Sequence, residues 1–156
     1  MFGPILISGV VSLFGKNSVP SLVNAKSVNW FGRDVSPLKV TLGNTFLEWV
    51  GFTLVAVGEE MFYRGVIQTE LSELINPDFG WIASSLLFGL AHVPGRGWRN
   101  FLPALAGGFY LGWQYKKYDH DLGRVIALHF HLDFVPMAIE FLRNPLTGRG
   151  VYSVRF

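Results

Sequence analysis

Leu54-Val55-Ala56-Val57-Gly58-Glu59-Glu60-Met61-Phe62-Tyr63-Arg64-Gly65-Val66-Ile67 carries two carboxylates and a guanidinium through an otherwise apolar run. Ionisable side chains are costly in a membrane interior, so each needs a partner or a task. Glu60 and Arg64 are four residues apart, so on a helix they share a face and can pair. Glu59 lies about 100° further round the same helix and faces a different neighbour. The pattern suggests that Arg64 holds Glu60 while Glu59 serves as a base. The bland alternative is a solvated charge cluster where the helix leaves the membrane.

Working outward, 50% of the 156 residues are hydrophobic and only 15% are charged. A soluble domain usually carries about 25% charged residues, so this chain has too few to cover a water-facing surface. Fourteen Phe, five Trp and five Tyr suit helices whose ends rest among lipid headgroups. A net charge of +2 with no basic stripe argues against a nucleic-acid partner. The absence of cysteine excludes disulfides, thiolate chemistry and Cys-ligated zinc.

Polar punctuation divides the chain into five hydrophobic segments. Met1 to Phe14 has no charged side chain, lacks a basic n-region and is short for a span. It is expected to be a membrane helix or re-entrant segment, not a cleaved leader. Lys16 to Lys39 is expected to be a loop, with Trp30-Phe31 as an interfacial anchor. The second segment runs from about Val40 to Val57 and continues as an amphipathic stretch to Ile75, where Asn76-Pro77 ends it. Phe79 to Val93 is the third, stopped by Pro94-Gly95; Phe101 to Tyr115 and Val125 to Leu142 follow. Small residues recur in the third and fourth, and the spacing Ala104–Gly108–Gly112 suits close helix packing. The expected fold is all-α: a polytopic transmembrane helix bundle of about four to five membrane segments. It is expected to form one membrane-embedded domain over residues 1–156. Lys26, Arg33, Lys39, Arg96 and Arg99 place their loops in the cytoplasm, whereas Lys116, Lys117 and Arg124 break the alternation.

Two further polar signatures lie on later segments. His92 ends the third, one turn after Phe88. His129 and Asp133 are one turn apart on one face of the fifth, with His131 pointing elsewhere. A His and an Asp at that spacing could hydrogen-bond each other, ligate a metal or jointly face a substrate carbonyl. A lone His at a helix end, like His92, is more often simply a satisfied polar residue.

The spellings Glu59-Glu60-Met61-Phe62-Tyr63-Arg64, Phe88-Gly89-Leu90-Ala91-His92 and His129-Phe130-His131-Leu132-Asp133 occur in this order on successive helices. They resemble the EExxxR, FxxxH and HxxxN/D motifs of the CAAX protease and bacteriocin-processing (CPBP, Abi-type) family of glutamic intramembrane proteases. That family is related to the type II CAAX prenyl endopeptidases, and the resemblance covers roughly residues 42–142. It implies a hydrolase, an intramembrane endopeptidase with no metal and no cofactor. Glu59 and His92 would activate water, His129 and Asp133 would stabilise the oxyanion, and Glu60, Arg64 and Phe88 would support the site. An ionised aspartate repels an oxyanion, so Asp133 either carries a proton and donates or orients His129; the second is favoured.

The implied protein is integral and multi-pass, in a bacterial cytoplasmic membrane. Its partners are the lipid bilayer and a membrane protein or peptide substrate: a prenylated protein, a bacteriocin leader or a sorting signal. Family members commonly carry more membrane segments ahead of the first motif, so the substrate gate is expected to be simpler here, or to be supplied by a partner protein or a second copy. Two rival readings stand beside it. One is a zinc-dependent membrane metalloprotease using Glu59, His92 and His129, although no HExxH is present. The other is a non-enzymatic membrane immunity or assembly protein that keeps the polar cluster for packing.

Overall fold

Asn76-Pro77, the break expected near the middle of the chain, does separate two helices. In the computed structural model Asn76 caps the second of them, its side chain accepting the Phe79 amide N–H at 2.9 Å. The structure describes Leu22 and residues 25–30, 32–143, 145–146 and 153–155. The expected N-terminal membrane segment, Met1 to Phe14, lies outside the described residues, as does Phe31. In chain order the elements are strands β1 (Ser27–Trp30) and β2 (Arg33–Val35), helices α1 (Pro37–Leu74) and α2 (Pro77–Ala91), a short helix α3 (Val93–Arg96), helices α4 (Phe101–Lys117) and α5 (Leu122–Arg143), and strand β3 (Ser153–Arg155). The bulk of the fold is all-α, as the segment pattern predicts.

The chain divides into two compact units, residues 1–53 with 132–156, and residues 54–131. In the first, the region expected to be loop instead contributes β1 and β2 to a small antiparallel sheet, completed by β3 in the order β2-β1-β3. Val28 pairs with Val35 on one side and Val154 on the other. A tight turn makes this hairpin possible: Gly32 takes φ +79°, and its N–H is accepted by the Asn29 side chain at 3.2 Å. Val28 is then buried with Leu22 and Val40 beneath Ala25, Val35 and Leu146.

Helices α1 and α5 are long and apolar enough to cross a membrane. Many of their large apolar side chains, including Leu42, Phe46, Leu47, Leu54, Leu132 and Ile139, are exposed. A water-soluble protein does not spread apolar surface so widely, whereas lipid tails cover it without cost. Thr41, Thr45 and Thr53 turn their hydroxyls back onto the carbonyls of Leu38, Thr41 and Trp49 at 2.8–3.0 Å. That satisfies a polar group on a lipid-facing helix.

The second unit holds the rest of α1, then α2 to α4 and the start of α5. Within α1 the winding widens to a π-helix over Met61–Gln68, and the Thr69 N–H reaches the Arg64 carbonyl five residues back. This stretch buries Tyr63, Arg64 and Gln68. Helix α2 packs extensively on α4 through small residues, as the Ala104–Gly108–Gly112 spacing predicts for Gly108 and Gly112. Both are buried, and a Cβ on Gly108 would come within 3.1 Å of the Ser85 carbonyl oxygen. Because the glycines let the backbones approach, α4 carbonyls are open to side chains from neighbouring helices. Gln68 donates to the Gly112 carbonyl and Trp81 to that of Phe109, each at 2.9 Å. Leu111, Tyr115 and Val125 close the apolar core of this unit, with Leu122 and Leu128 packed against it.

This packing generates a comparison within one helix. A methyl group on Gly112 would meet Gln68 Oε1 and Trp81 Cδ1 at 2.8 Å, whereas one on Gly107 meets nothing within 4 Å. Gly112→Ala should destabilise the solubilised protein by about 1–3 kcal/mol, the usual cost of overpacking, while Gly107→Ala should be near neutral. Thermal unfolding of the three proteins in one detergent checks it. Equal unfolding temperatures would show that the α2–α4 seam is looser than described.

Candidate functional site

Glu59 and Glu60 are the last residues of regular α-helix before the π-helical stretch. They lie in sharply different surroundings. The Glu60 side chain is fully buried, and its Oε1 accepts from Arg64 Nη1 at 2.8 Å. The same oxygen lies 2.7 Å from His129 Nδ1. A carboxylate oxygen beside a guanidinium can only accept, so His129 carries a proton on Nδ1 and donates it here. The ring is then turned so that Nε2 faces Glu59 Oε2 at 3.7 Å. Glu59 is the more open of the two acids, with a quarter of its side chain (25%) exposed.

One expectation is therefore refined. Adjacent carboxylates about 100° apart on a helix were expected to face different neighbours, yet both reach His129. They can do so because imidazole presents its two nitrogens on different sides, and the ring sits with Nδ1 toward one acid and Nε2 toward the other. In sequence terms the orienting of His129 falls to Asp133; in the structure the Nδ1 hydrogen bond goes to Glu60.

Arg64 is the brace. Fully buried, it donates Nη1 to Glu60 and Nη2 to the Gly108 carbonyl at 2.9 Å, and its guanidinium lies 4.7 Å from the centre of the Phe88 ring. The planar fork suits three simultaneous contacts of this kind. Arg64 Nε and Glu60 Oε2 are buried with no hydrogen-bond partner among the described residues.

Phe88 gathers the remaining groups. Only 3% exposed, its ring meets those of Tyr63 at 5.1 Å, His92 at 4.6 Å and His129 at 5.8 Å between centroids. His92, at the C-terminal end of α2, has Nδ1 at 2.8 Å from the Phe88 carbonyl. A carbonyl only accepts, so this contact protonates Nδ1 and leaves the lone pair of the neutral ring on Nε2. Glu59, Glu60, Arg64, Phe88, His92 and His129 thus share the second unit. Asp133 follows one helical turn after His129 on α5, half-buried, in the other unit.

Two participants were not anticipated as site residues. Gly108 looks in the sequence like a packing residue only, and its carbonyl is the second anchor of Arg64. Tyr63 lies between the two motif residues Glu60 and Arg64, packs edge-on against Phe88, and its carbonyl accepts the Ser84 hydroxyl at 2.8 Å. The only sequence signal for either is the burial expected of an aromatic and a glycine on inward faces. Among the described residues, no three His, Asp or Glu side chains form a group spaced to hold a metal.

A model of the type II CAAX prenyl endopeptidase Rce1-like family matches residues 41–135. No curated protein and no solved structure matches the chain. The matched region covers well over half of the 156 residues and contains every site residue described above. The chain belongs to this family, whose members are membrane-integral proteases.

The Glu60–Arg64 pair makes a stability prediction separate from activity. Glu60→Gln leaves a buried guanidinium without its counter-charge, and Arg64→Ala does the same to the carboxylate. Removing one member of a buried pair costs about 3–5 kcal/mol. Both variants should give much less folded, membrane-extracted protein and a lower unfolding temperature. Wild-type yield and unfolding from either would contradict the buried pairing.

Proposed function

We propose that this member of the family is a multi-pass intramembrane endopeptidase that hydrolyses a peptide bond with a water activated by Glu59 and His92. The observation that carries the proposal is the contrast between the two acids: Glu60 is sealed against Arg64 and His129, while Glu59 is partly open and faces the far side of the same imidazole. Glu59 takes a proton from water, and the hydroxide oxygen attacks the substrate carbonyl carbon. The His92 lone pair on Nε2 shares the task of orienting that water. The C–N bond then breaks as the departing nitrogen takes up the proton that Glu59 removed from water.

His129 and Asp133 are proposed to stabilise the oxyanion. With Nδ1–H committed to Glu60, His129 can offer only Nε2 to the substrate, and it donates there from the doubly protonated ring. Glu60 then supplies the counter-charge, because Glu59 by that stage holds the proton taken from water. Asp133 helps to orient the ring from the next helical turn. Glu60, Arg64 and Phe88 hold the assembly without touching substrate.

The proposed setting is a bacterial cytoplasmic membrane, crossed by about four to five segments. α1 and α5 would be the long spans, with α2 and α4 as shorter ones. The substrate is a membrane-associated protein or peptide, for which a prenylated C-terminal peptide is the first candidate by family name.

Cleavage of a co-expressed membrane-tethered substrate, with and without a chelator, tests this directly. Wild type should cleave, and Glu59→Gln should fold and insert but give no product. Chelation should leave the rate unchanged. Full activity of Glu59→Gln would overturn the role of Glu59; activity lost on chelation and restored by zinc would favour a metalloprotease.

Asp133 separates orientation from direct chemistry. Asp133→Asn should retain substantial activity, because an amide keeps a polar group of the same size one helical turn from His129. Asp133→Leu should be strongly impaired, since it removes a polar neighbour from an apolar setting. Initial rates of the two variants at matched folded protein give the answer. A well-folded but nearly inactive Asp133→Asn would point to a carboxylate acting as base or metal ligand.

A further inference from the structure

The six basic residues of the second unit fall into two classes. Arg64 is buried against Glu60. Lys116 pairs with Asp78, and Lys117 lies over the rings of Trp113 and Tyr118 at 4.7 and 5.3 Å. Arg124 stacks on Tyr118 at 3.6 Å. Arg96 and Arg99 differ from all four: among the described residues neither side chain has a carboxylate or a ring as partner. Both are exposed, and both lie in the turn between α2 and α4.

That turn is built rather than slack. Gly97 adopts φ +79°, its N–H donates to the Val93 carbonyl at 2.8 Å, and the Asn100 side-chain amide donates to the Arg96 carbonyl. Trp98 stands between the two arginines at 71% exposure, with Leu102 at 69% close behind it in sequence. From Phe79 to Tyr118 there is no Asp or Glu, so nothing in this hairpin neutralises the pair. An exposed indole flanked by two guanidiniums has the composition of a membrane interface: the ring suits the headgroup layer and the guanidinium fork suits phosphate oxygens.

We infer that the Arg96–Trp98–Arg99 turn docks on the phosphate headgroups of anionic phospholipids. The inference rests on the membrane placement of the chain and not on its proposed hydrolytic chemistry. At the other end of the same helix pair the cations already have partners, so lipid binding is one-sided. His92 immediately precedes this turn, and headgroup contacts would therefore hold it at a fixed depth.

The test uses the full chain in nanodiscs of phosphatidylcholine, alone or mixed with phosphatidylglycerol, with retained lipid read by native mass spectrometry. Wild type should retain phosphatidylglycerol over phosphatidylcholine. Each arginine near a charged bilayer is worth about a fivefold change in affinity, so the doubly substituted Arg96→Ala/Arg99→Ala protein should lose about thirtyfold. Arg96→Lys/Arg99→Lys should keep most of the retention, and Lys117→Ala should keep all of it. Unfolding of the double alanine variant in pure phosphatidylcholine should match wild type, showing that the loss is one of binding. Undiminished phosphatidylglycerol retention in the double variant would overturn the inference. So would an equal loss in Lys117→Ala, which would mean diffuse attraction with no defined site.

Discussion

One oxygen atom, Glu60 Oε1, organises the second unit. It accepts from Arg64 on its own helix and from His129 at the start of α5, and it has no access to solvent. Taking a carboxylate and a guanidinium out of water costs several kcal/mol per ion, so such a pair survives only with good geometry and further hydrogen bonds. Two such bonds are present, from Arg64 to the Gly108 carbonyl and from His129 to Glu60, and the guanidinium also lies over the Phe88 ring. Helices α1, α2, α4 and the first turns of α5 are therefore tied through one polar cluster. The same ties that stabilise the helices fix the imidazole that faces Glu59.

A membrane interior makes this arrangement more demanding, because no water is at hand to satisfy a stray polar group. The chain meets that demand largely with its own backbone. Glycines on α4 let neighbouring helices approach, and α4 carbonyls accept from Arg64, Gln68 and Trp81. A carbonyl has two lone pairs, so an intrahelical bond and a side-chain bond can share it. Close packing and polar satisfaction are thus one feature of the sequence. The small residues matter because of which atoms they uncover.

Much of this was legible in the residues. Asn76-Pro77 marks a real helix boundary, Ser85 and Gly89 of the third segment and Gly108 of the fourth lie at the α2–α4 seam, and Glu60 and Arg64 pair at the spacing that a helix requires. These are local signals, each expressed within a few turns. What could not be read joins distant positions. The Glu60–His129 hydrogen bond spans 69 residues, and no pattern in one sequence states that two acids will share one ring. The π-helical winding at Met61–Gln68 leaves the hydrophobic pattern helical and so leaves no mark of its own. The β1–β3 pairing joins the two ends of the chain, and strands of three or four residues are too short to show an alternation.

The central claim is that Glu60 holds Nδ1 of His129 and so presents Nε2 to Glu59. Nitrogen-15 NMR of histidine-labelled protein in lipid, with the His129 signals assigned by difference from His129→Asn, measures this directly. The account predicts a protonated, strongly hydrogen-bonded Nδ1 whose resonance shifts in Glu60→Leu protein that remains folded. A bare Nδ1 carrying only its lone pair, or a resonance indifferent to the loss of the Glu60 carboxylate, would contradict it.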